Sequence, residues 1–320
     1  MRPTLSLLKR EFTAYFLSPI AYVILTVFLL VVGHLFFLTT TLLTERGPRG
    51  IEDPMAGLLG DERFWLVFLF IPPLLTMRSF AEERSSGTLE MLMTAPIRDW
   101  QVVFAKFMAC LGFYVLLWLP TIVFLPVLTD ATPEVKPIFN PFSGMLLMGI
   151  FLLAVWLLSS LLLSANVKPI GLLWLVLLVG VGLTTAGAIL HYRSPGEKML
   201  LFRSAIDPMP VLSSYLAVFL AGAMFLSLGL FVSSLVRSQL VAAIVSLVLS
   251  LLFVVTGFWR PDLDPSSTTA KLLEFFSVPM HFSQEFTRGL IDTRRIVLYV
   301  SVTFFCLFLT VRSLESRRWR

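Results

Sequence analysis

Long apolar runs are the feature of this sequence that most limits how the chain can fold. A helix needs about 20 apolar residues to span a bilayer. Eight runs come close to or exceed that length: 19–43, 63–80, 102–128, 143–165, 169–190, 211–236, 239–259 and 295–313. Apolar residues make up 57% of the 320 positions and charged residues only 14%, more apolar surface than one water-soluble core can bury. The sequence predicts an all-α, polytopic bundle of eight transmembrane helices in a single domain, 1–320.

Lysine and arginine indicate the orientation of this bundle. If the N-terminus is inside, the cytoplasmic segments are denser in Lys and Arg than the outer ones, as the positive-inside rule requires. An even number of spans then places both termini in the cytoplasm. The formal charge of +5 lies in short loops beside the apolar runs. This distribution indicates membrane lipid as the partner and argues against nucleic acid.

The segment before the first run, residues 3–17, is amphipathic. Its apolar side chains follow helical spacing and are Leu5, Leu8, Phe12 and Phe16. Lys9 and Arg10 lie on the other side with Ser6 and Thr13. A helix lying flat on the cytoplasmic membrane surface would bring Lys9 and Arg10 close to lipid phosphates. The alternative is that the segment simply extends the first span.

Ionisable side chains are almost missing from the predicted spans. His34 is the one titratable residue well inside an apolar run, whereas Lys106 and Arg312 lie near run ends, from which their side chains can reach the membrane surface. Carriers driven by ion gradients usually place carboxylates or broken helices near the middle of the membrane. The sequence therefore disfavours a secondary carrier.

Motifs for catalysis and for ATP binding are also missing from the sequence. It has no H-E-x-x-H, no G-x-S-x-G, no cysteine–histidine cluster at metal-ligand spacing and no G-x-x-x-x-G-K-[ST] loop. His191 and His281 are interpreted as isolated polar residues of outer loops. We expect no enzymatic activity, metal or cofactor in this chain, so any ATP has to be bound by a partner.

The connection after the second run, residues 78–101, is the longest on the predicted cytoplasmic side. It begins with four charged residues that could pair among themselves: Arg78, Glu82, Glu83 and Arg84. Ser85-Ser86-Gly87 is expected to break the helix, and Pro96 to end the apolar segment 88–95. That segment could pack back on the bundle or enter a partner's groove, and its physical chemistry alone favours neither.

Residues 74–100 resemble the coupling region of type-2 ABC exporter permeases, and within them the gliding-motility-type subfamily. The shared run is Thr-Met-Arg, Phe-Ala-Glu-Glu, a Gly-Thr pair, Glu, an apolar triplet, Pro and Asp-Trp. The resemblance continues at 229–235 with Ser238-Gln239, at 281–294 and at 312–319. Residues 229–239 look like part of the family's fourth and fifth spans.

The resemblance implies a permease for export in a bacterial cytoplasmic membrane, paired as a homo- or heterodimer and bound to ABC-type ATP-binding subunits. Segment 87–95 would be the coupling helix, 3–17 with Lys9, Arg10 and Phe12 the interfacial helix, and 260–294 an outer-face helical loop. The residues implied in coupling to the ATPase are Arg78, Glu82, Glu83, Arg84, Gly87, Thr88, Leu89, Glu90, Leu92 and Pro96.

Two points remain open in the sequence. The family core has six spans, so the runs 143–165 and 169–190 form an inserted pair (143–190) whose role the resemblance does not cover. The alternative function is a non-transporting membrane scaffold that recruits an ABC-type ATPase for mechanical or assembly work. Small residues at 213, 217 and 221, and again at 229 and 233, indicate close helix packing, with a substrate path or dimer seam as the other interpretation.

Overall fold

The computed structural model describes residues 2–46, 54–88, 97–123, 149–150, 152–153, 156, 171–193, 208–258 and 267–318. All regular elements of these residues are helical. The α-helices are α1 (Arg2–Leu17), α2 (Pro19–Arg46), α3 (Pro54–Leu59), α4 (Glu62–Phe68), α5 (Ile71–Thr76), α6 (Ala81–Ser85), α7 (Asp99–Trp118), α8 (Gly171–Arg193), α9 (Pro208–Leu235), α10 (Gln239–Phe258), α11 (Thr268–Phe276), α12 (Val278–Gln284) and α13 (Thr293–Arg318). Two 3-10 turns occupy Leu119–Val123 and Phe286–Arg288.

Five helices in the described part of the chain are long and apolar enough to cross a membrane: Ile20–Thr39, Asp99–Ile122, Met209–Leu235, Gln239–Thr256 and Thr293–Ser316. Two shorter apolar helices, Arg63–Thr76 and Leu177–Ile189, fall in the predicted runs 63–80 and 169–190. Run 143–165 lies almost wholly outside the described residues. The all-helical, multi-pass architecture is confirmed, while the count of eight spans and the orientation stay predictions.

The second predicted span is broken into short helices. Pro72 and Pro73 stand in the first turn of α5 and have no N–H to continue the hydrogen-bond ladder of α4. The ladder of α4 therefore closes at Leu69 and Phe70, and α5 restarts from the Phe70 carbonyl, which accepts from Leu74 N at 3.2 Å. The sequence predicts a kink at this proline pair, and the structure has a break there. Helix α5 lies buried except for Leu74.

Contacts divide the chain into two compact units. The first consists of Met1–Phe12, Met55–Tyr114 and Pro208–Arg320, and α9 is its centre, packed against α13, α10 and α5. Aromatic rings fill its core. The ring centre of Trp65 lies 4.7 Å from that of Phe282 and 5.2 Å from that of Phe68. The ring centres of Phe68 and Phe225 are 5.9 Å apart. This unit contains all the site residues described below.

The second unit consists of Thr13–Pro54 and Val115–Asp207. Within it, α2 contacts the turn Leu119–Val123, and the Phe28 and Trp118 rings meet edge to face at 5.2 Å. Gly149 approaches α8 so closely that a Cβ added there would lie 2.5 Å from the Thr184 nitrogen. Glycine therefore permits a tight contact between residues 149 and 184, both in the predicted inserted pair.

Short helices also occupy the connection before α13. Ser267 caps α11 by accepting from Ala270 N at 3.2 Å, and Ser277 ends α11 and caps α12. Gly289 has a φ of 80°, the left-handed conformation that closes the turn Phe286–Arg288. The face of the membrane to which this connection belongs stays a prediction.

Candidate coupling site

The predicted coupling residues fall partly within the described part of the chain. Residues 77–88 are called the stem below and comprise a turn, helix α6 and the residues that follow it. Six of the predicted coupling residues lie on the stem: Arg78, Glu82, Glu83, Arg84, Gly87 and Thr88. Most of the predicted coupling helix lies outside the described residues, and so do four predicted coupling residues: Leu89, Glu90, Leu92 and Pro96. Lys9, Arg10 and Phe12 lie on α1.

A buried lysine connects the stem with α1 and α7. Lys106, on α7, is 2% exposed, and its Nζ donates to Glu11 Oε2 at 3.0 Å and to Glu83 Oε1 at 2.9 Å. The same ammonium lies 5.2 Å from the centre of the Phe80 ring. The predicted extension of this side chain to the membrane surface is wrong, because two carboxylates provide the countercharge inside the protein.

Arg10 completes this set, and Arg10, Glu11, Glu83 and Lys106 are called the Lys106 network. Arg10 Nη2 lies 2.6 Å from Glu11 Oε1 and 3.6 Å from Glu83 Oε1. Burial alone would raise the pKa of Glu11, but the charges of Lys106 and Arg10 and their hydrogen bonds outweigh it and hold that pKa below its usual 4.5. The network thus joins three segments by two cations and two carboxylates.

Two charged residues of the stem, Glu83 and Arg84, have partners that are distant in sequence. Glu83 pairs with Lys106 and Arg10, whereas the sequence offered pairing with Arg78 or Arg84 as one alternative. Arg84 Nη1 instead donates to the carbonyl of Leu235, the last residue of α9. Glu82 is exposed and Arg78 half-buried. Each of these partners is distant in sequence, so local spacing could not identify it.

Ser233 on α9 binds the backbone of the stem. Its Oγ accepts from Phe80 N and Ala81 N, both at 3.1 Å, and donates to the Met77 carbonyl at 3.2 Å. The first N–H groups of a helix have no partner inside it and need an outside acceptor. From the sequence, the spacing of Gly229 and Ser233 indicates close packing, with a substrate path or dimer seam as the other interpretation, but not a contact with the stem.

The predicted helix break at Ser85-Ser86-Gly87 is confirmed. Helix α6 ends at Ser85, Ser86 N donates to the Glu82 carbonyl at 3.0 Å, and Gly87 has a φ of +74°. A left-handed residue just after a helix is the usual stop signal, and glycine adopts it without steric cost. Ser86 and Thr88 also share a hydroxyl contact of 2.9 Å, which defines the direction in which the chain leaves α6.

Helix α1 packs only part of its apolar surface on the protein. Leu5 is 70% exposed, whereas Leu7 is buried. Leu7 and Glu11 are four residues apart and share a face, so directing Glu11 toward Lys106 also turns Leu7 inward. Phe12 packs against α7 at Gly112, where an added Cβ would lie 3.1 Å from its ring. Lys9 is exposed, the Arg10 side chain is 58% exposed, and their contact with lipid phosphates stays a prediction.

A second polar cluster joins α12 to α13. His281 is 1% exposed, its Nδ1 lies 2.8 Å from Tyr299 Oη, and its Nε2 faces the carbonyls of Glu274 and Phe275 at 3.2 and 3.1 Å. Because carbonyls only accept, Nε2 carries the proton and Nδ1 accepts from the tyrosine. Burial, helped by the charge of Arg295, lowers the pKa of His281 to about 4. The expectation of an isolated His281 is therefore wrong.

Arg295 and Glu285 complete this His281 cluster with an ion pair of 3.1 Å, and the guanidinium lies 5.6 Å from the Phe275 ring. Across the described residues, no group of three or more His, Cys, Asp or Glu is placed to hold a metal ion. The cluster joins α12 to α13 through a neutral imidazole, with one ion pair beside it. The residues of the His281 cluster are far from the stem in sequence, and none of the stem contacts described above involves them.

Comparison with known proteins gives one match. The family model described as ABC-2 family transporter protein matches residues 7–181, more than half of the chain, and this region includes the stem and the whole Lys106 network. No curated protein and no solved structure matches the chain. Five long apolar helices agree with a multi-pass membrane protein. The chain belongs to the ABC-2 family of transporter proteins.

Proposed function

We propose that this chain is the membrane-spanning permease subunit of an ABC transporter and receives its energy from separate ATP-binding subunits. The observation that carries this proposal is the family match over residues 7–181. Membership implies association with an ABC ATP-binding subunit, and the sequence itself contains no phosphate-binding loop. The chain would therefore provide the pathway, and its partner would bind and hydrolyse ATP.

The stem supports a place for energy to enter. Segment 89–96 follows it directly, is mostly apolar and, as a short helix, would suit a groove on the ATPase. Glu83 links the stem to α7 and α1 through Lys106, and Ser233 and Arg84 link it to α9. Displacement of 89–96 by the ATPase would therefore act on three helices at once.

Further features of the proposal come from the resemblance of residues 74–100. They are export as the direction, the gliding-motility-type subfamily, a permease dimer and a bacterial cytoplasmic membrane with both termini inside. The proposal also includes eight spans, two of which form the inserted pair at 143–190. The scarcity of charge in the spans favours a lipidic or amphipathic substrate.

The test is to purify the chain from its native membranes, identify any ABC-type ATPase that co-purifies, and reconstitute the two proteins in lipid nanodiscs. We expect a stable complex, and Leu92→Asp should weaken it by about tenfold or more, equivalent to about 1.4 kcal/mol of binding free energy. Leu272→Asp is the matched control, because Leu272 is a 54% exposed leucine of another short helix. Equal retention of the ATPase by both variants would contradict docking through 89–96.

Transport separates this proposal from the scaffold alternative. The complex is reconstituted in vesicles that contain a fluorescent phospholipid analogue, native lipids and a peptide and glycan extract, and ATP-dependent movement of each is measured. Movement that requires both ATP and an intact 89–96 segment supports the permease. Sustained ATP hydrolysis by a bound ATPase without movement of any of them would favour a scaffold.

A further inference from the structure

We propose that residues 229–235 of α9 form the seat of the coupling stem, and that Ser233 is the positioning residue through which motion of the stem reaches α9. The inference rests on the proposed function and adds a route of transmission to it. It also provides a physical role for a sequence motif, Gly-Leu-Phe-Val-Ser-Ser-Leu, that close helix packing alone leaves unexplained.

The seat begins with a close approach. A Cβ added to Gly229 would collide with Thr76 Oγ1, so only glycine lets α9 lie this near the end of α5. Thr76 itself is buried and donates to the Pro72 carbonyl at 2.8 Å. The first contact of the seat therefore holds the end of α5, immediately before the stem.

One turn further along α9, Ser233 provides the second contact. Residues four apart share a helix face, so Gly229 and Ser233 meet the same neighbour. The Ser233 hydroxyl is fully buried and satisfies the Phe80 and Ala81 amides together with the Met77 carbonyl. Phe80, the N-cap residue of α6, offers no side-chain acceptor. A residue of another helix thus acts as the N-cap of α6.

Leu235 provides the third contact. Its carbonyl belongs to the last turn of α9, where carbonyls have no partner inside the helix and carry partial negative charge, and it accepts from Arg84. Ser233 therefore binds the start of α6, and the Leu235 carbonyl binds the side chain of Arg84 in the same short helix. Tilting α6 would either break these bonds or move the end of α9 with it.

Helix α9 is suited to carry such a motion. It is 28 residues long, uninterrupted, and lies at the centre of its compact unit, packed against α13, α10 and α5. We therefore expect a displacement of Leu235 to move the other end of the helix, near Leu212. A purely structural Ser233 would support the fold without making that far end respond to nucleotide.

The test measures that response in the full chain bound to its ABC ATPase in nanodiscs. A nitroxide is attached to Leu212→Cys, a 64% exposed position, while the native Cys110 and Cys306 are buried. We expect trapping with ATP and vanadate to change the nitroxide spectrum. Ser233→Ala should abolish that change while the ATPase stays bound, and Ser233→Thr, which keeps the hydroxyl, should restore it.

Ser246→Ala is the matched control. Ser246 is 1% exposed, and its hydroxyl donates to the Ala242 and Ala243 carbonyls of its own helix, so its loss should leave the response unchanged. If Ser233→Ala fails to fold, Arg84→Gln tests the same seat from the stem and should reduce the response.

The outcomes separate the two proposals. An unchanged response in folded Ser233→Ala or Arg84→Gln overturns the seat, as does the absence of any response in the parent chain with the ATPase bound. Failure of the parent chain to retain the ATPase overturns the proposed function itself, and co-purification detects that result independently of the nitroxide.

Discussion

The Lys106 network and the His281 cluster both join distant segments through buried polar groups, yet they do so with different chemistry. In the Lys106 network a cation that is 2% exposed is held by carboxylates of α1 and the stem. In the His281 cluster the central side chain is a neutral imidazole bonded to a tyrosine and to backbone carbonyls. At the centre of one joint is a buried cation between two carboxylates, and at the centre of the other is a neutral imidazole with one ion pair beside it.

This difference bears on what each joint can do. Charges attract over several ångströms and tolerate small changes of geometry, so ion pairs can hold moving parts. Neutral hydrogen bonds weaken steeply with misalignment and fit a fixed junction. The charged joint lies at the proposed point of energy entry, and the neutral one fastens the short helices before α13. The predictions below test that contrast.

The largest effect is expected for Lys106→Met. Removing the buried cation leaves the carboxylates of Glu11 and Glu83, whose side chains are only 16% and 19% exposed, without their main countercharge. Breaking a buried ion pair on one side costs about 3–5 kcal/mol, and we expect a similar loss in the free energy of unfolding in nanodiscs.

Recovery in a triple variant is the control for this prediction. Adding Glu11→Gln and Glu83→Gln to Lys106→Met removes the stranded charges, so most of the lost stability should return. A loss below about 1 kcal/mol in Lys106→Met would mean that the pairs behave as exposed ones, and would remove the contrast between the two joints.

Acid is expected to weaken the two joints in different pH windows. The pKa of His281 is lowered from 6.5 to about 4, so the unfolded chain takes up a proton before the folded chain does. Stability is therefore full above pH 6.5 and falls as pH drops toward about 4, by a total on the order of 3 kcal/mol. Unfolding midpoints measured across this range check the prediction.

Two single variants show which residue is responsible for the loss of stability in each pH window. His281→Gln should remove the loss between pH 6.5 and about 4, whereas Glu11→Gln should leave it intact. The pKa of Glu11 is lowered from 4.5, so its contribution is present above pH 4.5 and disappears only as pH falls through the lower folded value. A His281→Gln curve that keeps the wild-type slope above pH 4.5 would contradict the assigned role.

A smaller effect is expected for Tyr299→Phe. The change removes the hydroxyl that donates to His281 Nδ1 at 2.8 Å and keeps the ring that stacks on Phe286. Loss of one buried hydrogen bond corresponds to about 1–3 kcal/mol when the acceptor is left unsatisfied, and we expect the lower end of that range in thermal unfolding. A double-mutant cycle with His281→Gln should show coupling, and additive effects would indicate that the bond contributes little.

The smallest effect is expected for Arg10→Ala. Its side chain is 58% exposed and lies at the edge of the Lys106 network. Exposed ion pairs contribute about 0.2–1 kcal/mol and are screened by salt. Unfolding measured at low and high salt should show an effect of Arg10→Ala that shrinks with salt, in contrast to that of Lys106→Met. Salt-independent destabilisation would place Arg10 among the buried members of the network.

Local backbone features were predictable from the sequence because they depend on neighbouring residues. The apolar runs predicted helices at membrane length, and five long ones are present in the described residues. Gly87 predicted the end of α6, since glycine alone adopts its φ freely, and Pro72-Pro73 predicted the break before α5. Each of these depends on one to three adjacent residues.

The partners of the buried charges could not be predicted in this way. Lys106 is 95 positions from Glu11 and 23 from Glu83, and Ser233 is about 150 from the amides it caps. Read alone, each looked like a side chain at a span end or a small packing residue. Sequence periodicity reports which face of a helix is apolar, but not which distant helix will lie against it.

The sequence by itself therefore determined the helical, membrane-spanning class of this chain and where helix α6 ends. Only the tertiary structure decided that the stem rests on α9 and is tied to α1 and α7 by a buried lysine. The physical reason is that hydrophobicity and backbone conformation act along the chain, whereas countercharges and hydrogen-bond partners are chosen by packing in space.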